Sequence, residues 1–124
     1  MTRTQWADDM ANETINHVTF QELQDTAGED FVKELVDTFL EEAPGMLAEL
    51  RSARAEGHAE RFRRAAHSLK SNSNTFGASR LAALARELEL KGPDADPVRD
   101  AAALAALEAE YARAAAALKE LRNG

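Results

Sequence analysis

The stretch FVKELVDTFLEEAP, residues 31–44, carries the clearest periodic signal in the chain. Its apolar side chains recur at intervals that place them on one broad stripe of an α-helix. The stripe comprises Phe31, Val32, Leu35, Val36, Phe39 and Leu40. Pro44 and Gly45 interrupt it, and we expect them to kink the helix or to restart it before Gly57 closes the element.

A shorter helix precedes this stretch. Thr19 and Glu22 have the spacing of a capping box, which predicts a helix that begins at Thr19. Val18 and Leu23 have the spacing of a hydrophobic staple at the same start, and Gly28 is expected to end the helix. In this helix and the next, we expect four apolar side chains to lie mostly in the core: Phe20, Leu23, Phe31 and Phe39.

Glycine and proline divide the rest of the chain into three more helices. Their predicted bounds are about His58 to about Phe76, the residues between Gly77 and Gly92-Pro93, and a last helix after Asp96. Asp96 suits the N-cap of that helix, and a proline follows in the first helical position. Leucines and one tyrosine mark the core-facing sides of the last two helices: Leu81, Leu84, Leu88, Leu104, Leu107, Tyr111, Leu118 and Leu121.

No segment alternates with the two-residue period of a strand. Four long helices with short connections predict an all-α fold, an antiparallel up-down four-helix bundle with a short additional N-terminal helix. Residues 1–17 are weakly patterned, and we assign them to a tail that is at most partly helical. Residues 18–122 are then the bundle domain, which agrees with a chain of 124 residues having the length of one domain.

Composition excludes several classes of function. The chain has no cysteine, which excludes disulfide scaffolds, thiol catalysis and cysteine-rich zinc sites. Its three histidines lack the spacing of zinc ligands, so we expect no metal site. A net charge of −7 disfavours a nucleic-acid partner. No apolar run approaches the roughly 20 residues that span a bilayer, and the N-terminus has no signal-peptide pattern. We therefore expect a cytoplasmic protein with no membrane partner.

His67 is the residue on which the functional prediction rests. On a wheel of the third helix, at about 100° per residue, Phe62 and Leu69 lie in one apolar arc, and His67 lies roughly 140° from Phe62. The imidazole should therefore be exposed. Its neighbours on the same face, three to seven positions away, are cationic or small and polar: Arg63, Arg64, Lys70, Ser71 and Asn74.

These surroundings suit an imidazole that takes up a phosphoryl group. Residues 58–70 carry four cationic side chains against one glutamate, a local charge of +3 in a chain of −7. Such a patch fits an acidic partner or a group that must hold negative charge. A neutral imidazole is nucleophilic near neutral pH, and a nearby ammonium offsets phosphoryl charge. The chain has no P-loop and no kinase-type glycine-rich loop, so it is predicted to carry a phosphoryl group without drawing one from ATP.

The run HSLKSNSNTFGA, residues 67–78, resembles the signature of histidine-containing phosphotransfer (HPt) domains, which reads H-x-L-K-G-S-S-x-x-(apolar)-G-A. The matching positions are His67, Leu69, Lys70, Ser73, Phe76, Gly77 and Ala78. The upstream stretch, residues 31–44, looks like the second helix of that family. The likeness covers about residues 18–121.

The resemblance implies a chemistry and its partners. In the family, the histidine takes a phosphoryl group from the aspartyl phosphate of a response-regulator receiver domain and passes it to another receiver. The receiver supplies Mg²⁺, so this chain would hold no cofactor, and a hybrid histidine kinase would feed the relay. We expect a bacterial protein that acts as a monomer.

The resemblance also assigns roles to residues. His67 would be the phosphoacceptor, Lys70 would pair with the phosphoryl oxygens, and Gly77 would permit the tight turn after the third helix. We expect partner contacts from five residues: Arg63, Arg64, Ser71, Asn74 and Gly77.

Two positions depart from the common family pattern. Ser71 stands where the family often has glycine, and because serine is still small we expect the partner to approach closely. Glu89 stands where some members place a glutamine that bonds the histidine. A glutamate there would accept a hydrogen bond from the imidazole and raise its basicity. Whether Glu89 reaches His67 is left open by the sequence.

Other interpretations compete with a phosphorelay carrier. A binding module could dock on a receiver or kinase without phosphotransfer, but the intact pair of His67 and Lys70 argues against it. A phosphoacceptor domain of a chemotaxis-type histidine kinase is a further alternative, and the start at Met1 favours a free-standing protein instead. An enzyme in its own right has no support, because no acid–base pair converges on His67. His17 and His58 lack any such context.

Overall fold

The structure is a computed structural model that describes residues 14–93 and 97–123. Within those ranges the chain is helical and has no strand, which confirms the prediction of an all-α protein. The helices are α1, His17–Ala27; α2, Glu29–Ala55; α3, Ala59–Thr75; α4, Ser79–Lys91; and α5, Pro97–Asn123. Residues 1–13 of the predicted tail and the predicted cap Asp96 lie outside the described residues. No helix in the described ranges is long and apolar enough to cross a membrane.

Each helix from α2 to α5 packs against the next, and α5 returns to α2, so the four enclose one core. The short α1 lies across α2 and α3. Phe39 of α2 sits at an aromatic junction of this core. Its ring centroid lies 5.4 Å from that of Phe76 and 6.0 Å from that of Tyr111 on α5. Burying aromatic side chains of this size contributes on the order of 2 kcal/mol each.

Ion pairs that the sequence pattern does not predict join α2 to α5. The Asp37 carboxylate accepts bonds from the Arg122 guanidinium at 2.6 and 2.8 Å. Toward the other end of the helices the charges are reversed, and two arginines of α2 pair with carboxylates of α5: Arg51 with Glu108 and Arg54 with Asp100. These contacts join α2 and α5 near both ends of the two helices.

The prediction that the first helix begins at Thr19 is wrong. The helix α1 begins at His17, and the side-chain oxygen of Asn16 accepts a hydrogen bond from the Thr19 backbone amide at 3.1 Å. Asparagine is the stronger N-cap, so the helix starts two residues earlier than the capping box suggests. Val18 is consequently 68 % exposed and does not pack as a staple.

Pro44 and Gly45, expected to kink the helix or to restart it, do not restart it, because α2 is continuous from Glu29 to Ala55. The kink stays a prediction. Burial of Ala43 and Leu50 on either side of the proline offsets its cost of about 3 kcal/mol.

The prediction that Phe31 lies in the core is wrong, because it is 50 % exposed while its neighbour Val32 is 1 % exposed. Phe31 lies at the edge of the broad apolar stripe, and the buried line of α2 runs through Val32, Val36 and Phe39 instead.

Gly77 fixes the turn from α3 to α4 and also holds α1. Its φ is +79°, a left-handed conformation that glycine adopts without the strain of a side chain. Its carbonyl accepts a hydrogen bond from the Asn16 amide at 2.7 Å. A methyl group on Gly77 would stand 2.9 Å from both the Asn16 carbonyl oxygen and the Thr19 Cβ. Gly77 therefore forms the turn and also packs against the start of α1.

Gly77→Ala should cost at least about 2 kcal/mol of unfolding free energy in urea, because left-handed strain and a clash with α1 add together. Gly57→Ala is the matched control. Gly57 also has a positive φ, of +68°, but a methyl group there would meet nothing within 4 Å, so this variant should lose only about 1 kcal/mol. Equal losses in the two variants would mean that α1 contributes nothing at this turn.

Candidate functional site

His67 lies at the middle of α3, and its side chain is 58 % exposed, as the helical wheel predicts. The opposite face of α3 is buried and holds Phe62, Ala66 and Leu69. Ser73 lies on that buried face, where its hydroxyl donates to the Leu69 carbonyl at 2.7 Å. The helix thus presents one imidazole to solvent while its other side is fixed in the core.

Glu89 of α4 contacts both His67 and Lys70. One carboxylate oxygen, Oε2, lies 2.6 Å from the His67 Nδ1, and the other, Oε1, lies 2.8 Å from the Lys70 Nζ. The side chains of Lys70 and Glu89 are only 24 % and 23 % exposed, so this pair lies deeper than the imidazole. The contact between Glu89 and His67, which the sequence alone does not decide, is therefore present.

The charges around Glu89 determine which imidazole nitrogen carries the proton. The hydrogen bond from Lys70, and after it the one from His67, lowers the pKa of the Glu89 carboxyl below its ordinary value. At neutral pH Glu89 is then a carboxylate, which only accepts hydrogen bonds. The Nδ1 of His67 must be the donor, and the neutral imidazole keeps its lone pair on Nε2.

The faces on either side of His67 differ. Toward α4, Lys70 and Asn74 line a small concavity with Arg86, and the Arg63 guanidinium lies against Gly92 at the end of α4. Ser71 is exposed one turn beyond His67.

Toward α2, Arg64 and Ser68 line a groove between α2 and α3, across from Gly45 and Met46. Sequence reasoning misses Ser68 and Arg86. The signal that could have found Arg86 is its position one turn before Glu89 on α4.

Gly77, predicted both to permit the turn and to contact a partner, is buried beneath α1 in the turn. Its contact with a partner stays a prediction. Arg63, Arg64, Ser71 and Asn74 are all exposed. Within the described residues, no group of three or more histidine, aspartate or glutamate side chains could hold a metal ion.

The model of the Hpt domain family matches residues 34–121, which is more than two thirds of the chain. The chain belongs to the Hpt family. Its structure is also similar to the crystal structure of histidine-containing phosphotransfer protein B from Pseudomonas aeruginosa PAO1. The two share 30 % sequence identity with a TM-score of 0.80, over 89 % of this chain and 95 % of that one. A comparison with curated proteins gave no match.

Membership confirms the resemblance seen in residues 67–78. Hpt domains are histidine phosphotransfer carriers of phosphorelays, and they interact there with response-regulator receiver domains. The matched range contains His67, Lys70 and Glu89 together with both helices that carry them.

The lowered pKa of Glu89 can be tested by titration. Followed by carbon NMR of its carboxyl group, Glu89 should titrate below the ordinary value of 4.5, and Lys70→Met should raise its pKa toward that value. Because the folded-state pKa is the lower one, the stability contributed by this contact is fully present above the unfolded-state pKa. It is lost as pH falls through the folded-state pKa.

Lys91→Met is the control for the Glu89 titration. It removes a lysine of α4 whose ammonium lies 4.0 Å from the Glu87 carboxylate, so the pKa of Glu89 should not change. An unchanged pKa of Glu89 in Lys70→Met would contradict the assigned role of Lys70.

Proposed function

We propose that this protein accepts a phosphoryl group on the Nε2 of His67 from a receiver-domain aspartyl phosphate and passes it to another receiver. The observation that carries the proposal is the bond between Glu89 and Nδ1 on an exposed imidazole. This hydrogen bond holds the imidazole in the tautomer whose unprotonated nitrogen, Nε2, is available to a partner. Within the described residues Nε2 has no hydrogen-bond partner of its own.

The transfer balances as a displacement at phosphorus. The Nε2 lone pair forms the new N–P bond, while the P–O bond to the partner's aspartate breaks and its electron pair remains on that carboxylate. The ring gains positive charge as the bond forms, and the Glu89 carboxylate, 2.6 Å from Nδ1, stabilises that charge. The reverse displacement returns the phosphoryl group to an aspartate, so the same site serves both steps.

Lys70 has two proposed tasks. It holds Glu89 in place at 2.8 Å, and its ammonium charge lies on the same helix face as the phosphoryl group that His67 would carry. Glu89 is the carboxylate that contacts His67, and both of its oxygens are already bonded, so these residues do not fit a Mg²⁺ site. We propose that the receiver supplies Mg²⁺ and that a hybrid histidine kinase supplies the phosphoryl group.

The proposed scaffold is an antiparallel four-helix bundle of α2 to α5, acting as a cytoplasmic monomer. The paired residues support this arrangement. Early residues of α2 pair with late residues of α5, as in Asp37 with Arg122, and late residues of α2 pair with early residues of α5, as in Arg54 with Asp100. Because α3 packs against α2 on one side and α4 on the other, His67 stays exposed in one position while a partner docks.

His67→Gln should abolish phosphorylation by a phosphorylated receiver, because glutamine has no nitrogen lone pair able to form the N–P bond. In the wild-type protein the label should be labile in acid and stable in alkali. His17→Gln and His58→Gln are the controls, since both histidines are exposed and outside the site, and each should accept label normally. Normal labelling of His67→Gln would refute the proposed function.

A further inference from the structure

Four cations lie on α3 near His67, and two of them are bonded to carboxylates. Arg61 bonds Glu49 of α2 and Glu56, and Lys70 bonds Glu89. The guanidinium of Arg63 lies against Gly92. Arg64 is exposed, and within the described residues its guanidinium has no hydrogen bond or ion pair.

The side of the ring on which a phosphoryl group would stand follows from the Glu89 contact. The two nitrogens of an imidazole lie on opposite sides of the axis that runs out from Cβ. Since Nδ1 is turned toward Glu89 on α4, Nε2 points mainly outward and leans to the side opposite Glu89. A group attached to Nε2 therefore projects outward from α3 and leans toward the α2 side of His67.

Arg64 occupies that side. Three positions before His67, it is displaced about 60° around α3 toward α2, and Lys70 is displaced by the same angle toward α4. Arg64 and Ser68 line the groove between α2 and α3, which confirms the direction from contacts. Side chains three apart on a helix have Cβ atoms about 5–6 Å apart, within the reach of an extended arginine.

We propose that Arg64 contacts the phosphoryl group on His67 and is the second cation of the site, opposite Lys70. This inference rests on the proposed function. The planar guanidinium donates two parallel hydrogen bonds to phosphoryl oxygens, a geometry that an ammonium lacks. With no partner to leave, Arg64 reaches the phosphoryl group without breaking an existing contact, whereas Lys70 would have to release Glu89. Arg64 therefore stabilises the phosphoryl group as it arrives and once it is bound, and Lys70 acts mainly by holding Glu89.

The test uses the full chain and potassium phosphoramidate, a small phosphodonor that needs no protein partner. The P–N bond of the reagent breaks as the Nε2–P bond forms, and ammonia leaves with a proton from water. Phosphorylation of His67 should be about threefold slower in Arg64→Gln than in the wild type, and Arg64→Lys should recover part of the rate. The phosphorus NMR shift of the phosphohistidine should also change in Arg64→Gln.

Arg63→Gln is the matched control, since it removes the same charge from the adjacent residue on the α4 side, and both rate and shift should stay as in the wild type. Equal effects of the two glutamine variants would overturn the inference, because they would reflect net charge alone. A defect of Arg64→Gln confined to transfer from a receiver would also overturn it, since Arg64 would then act in docking. A wild-type protein that takes no phosphoryl group on His67 would refute the proposed function itself.

Discussion

The carboxylate of Glu89 is the contact through which α4 controls the chemistry of α3. It accepts from His67 with one oxygen and from Lys70 with the other, at 2.6 and 2.8 Å. Because Lys70 neutralises it, the carboxylate can remain ionised beside an imidazole at little cost in charge. Because it is ionised, it accepts a hydrogen bond from the Nδ1–H group and leaves Nε2 as the nucleophile. A side chain that looks like an isolated surface histidine is thereby given a defined tautomer and a defined direction.

That contact joins residues 22 positions apart, so it exists only if α4 returns along α3 in one register. The turn between the helices sets the register. Its backbone bonds run from the Ala78 amide to the Ser73 carbonyl and from the Gly77 amide to the Asn74 carbonyl. Phe76 anchors the turn in the core, and α1 covers it from outside. The site and the fold therefore share one constraint, because a different turn would shift Glu89 by a residue and move its carboxylate off the imidazole.

Sequence periodicity predicts what lies within one helix and fails where two elements meet. The exposure of His67 follows from its own helix, so a wheel is sufficient to predict it. The contact with Glu89 depends on the packing of α4 on α3, which one sequence does not reveal. The capping box misplaces the start of α1 because Asn16 competes with Thr19 as a cap and forms the stronger one. The apolar stripe misplaces Phe31 because periodicity does not show which edge of a broad stripe faces the core, and Val32 beside it is the buried residue.

The most direct test of this account is the tautomer of His67 in the unphosphorylated protein, measured by nitrogen NMR of the imidazole at a pH where the ring is neutral. If Glu89 holds the ring as described, the proton should reside on Nδ1, and Nε2 should show the shift of an unprotonated nitrogen. Glu89→Ala should then lose this preference. A wild-type His67 that carries its proton on Nε2 would contradict the account, because the nitrogen presented to the partner would not be the nucleophile.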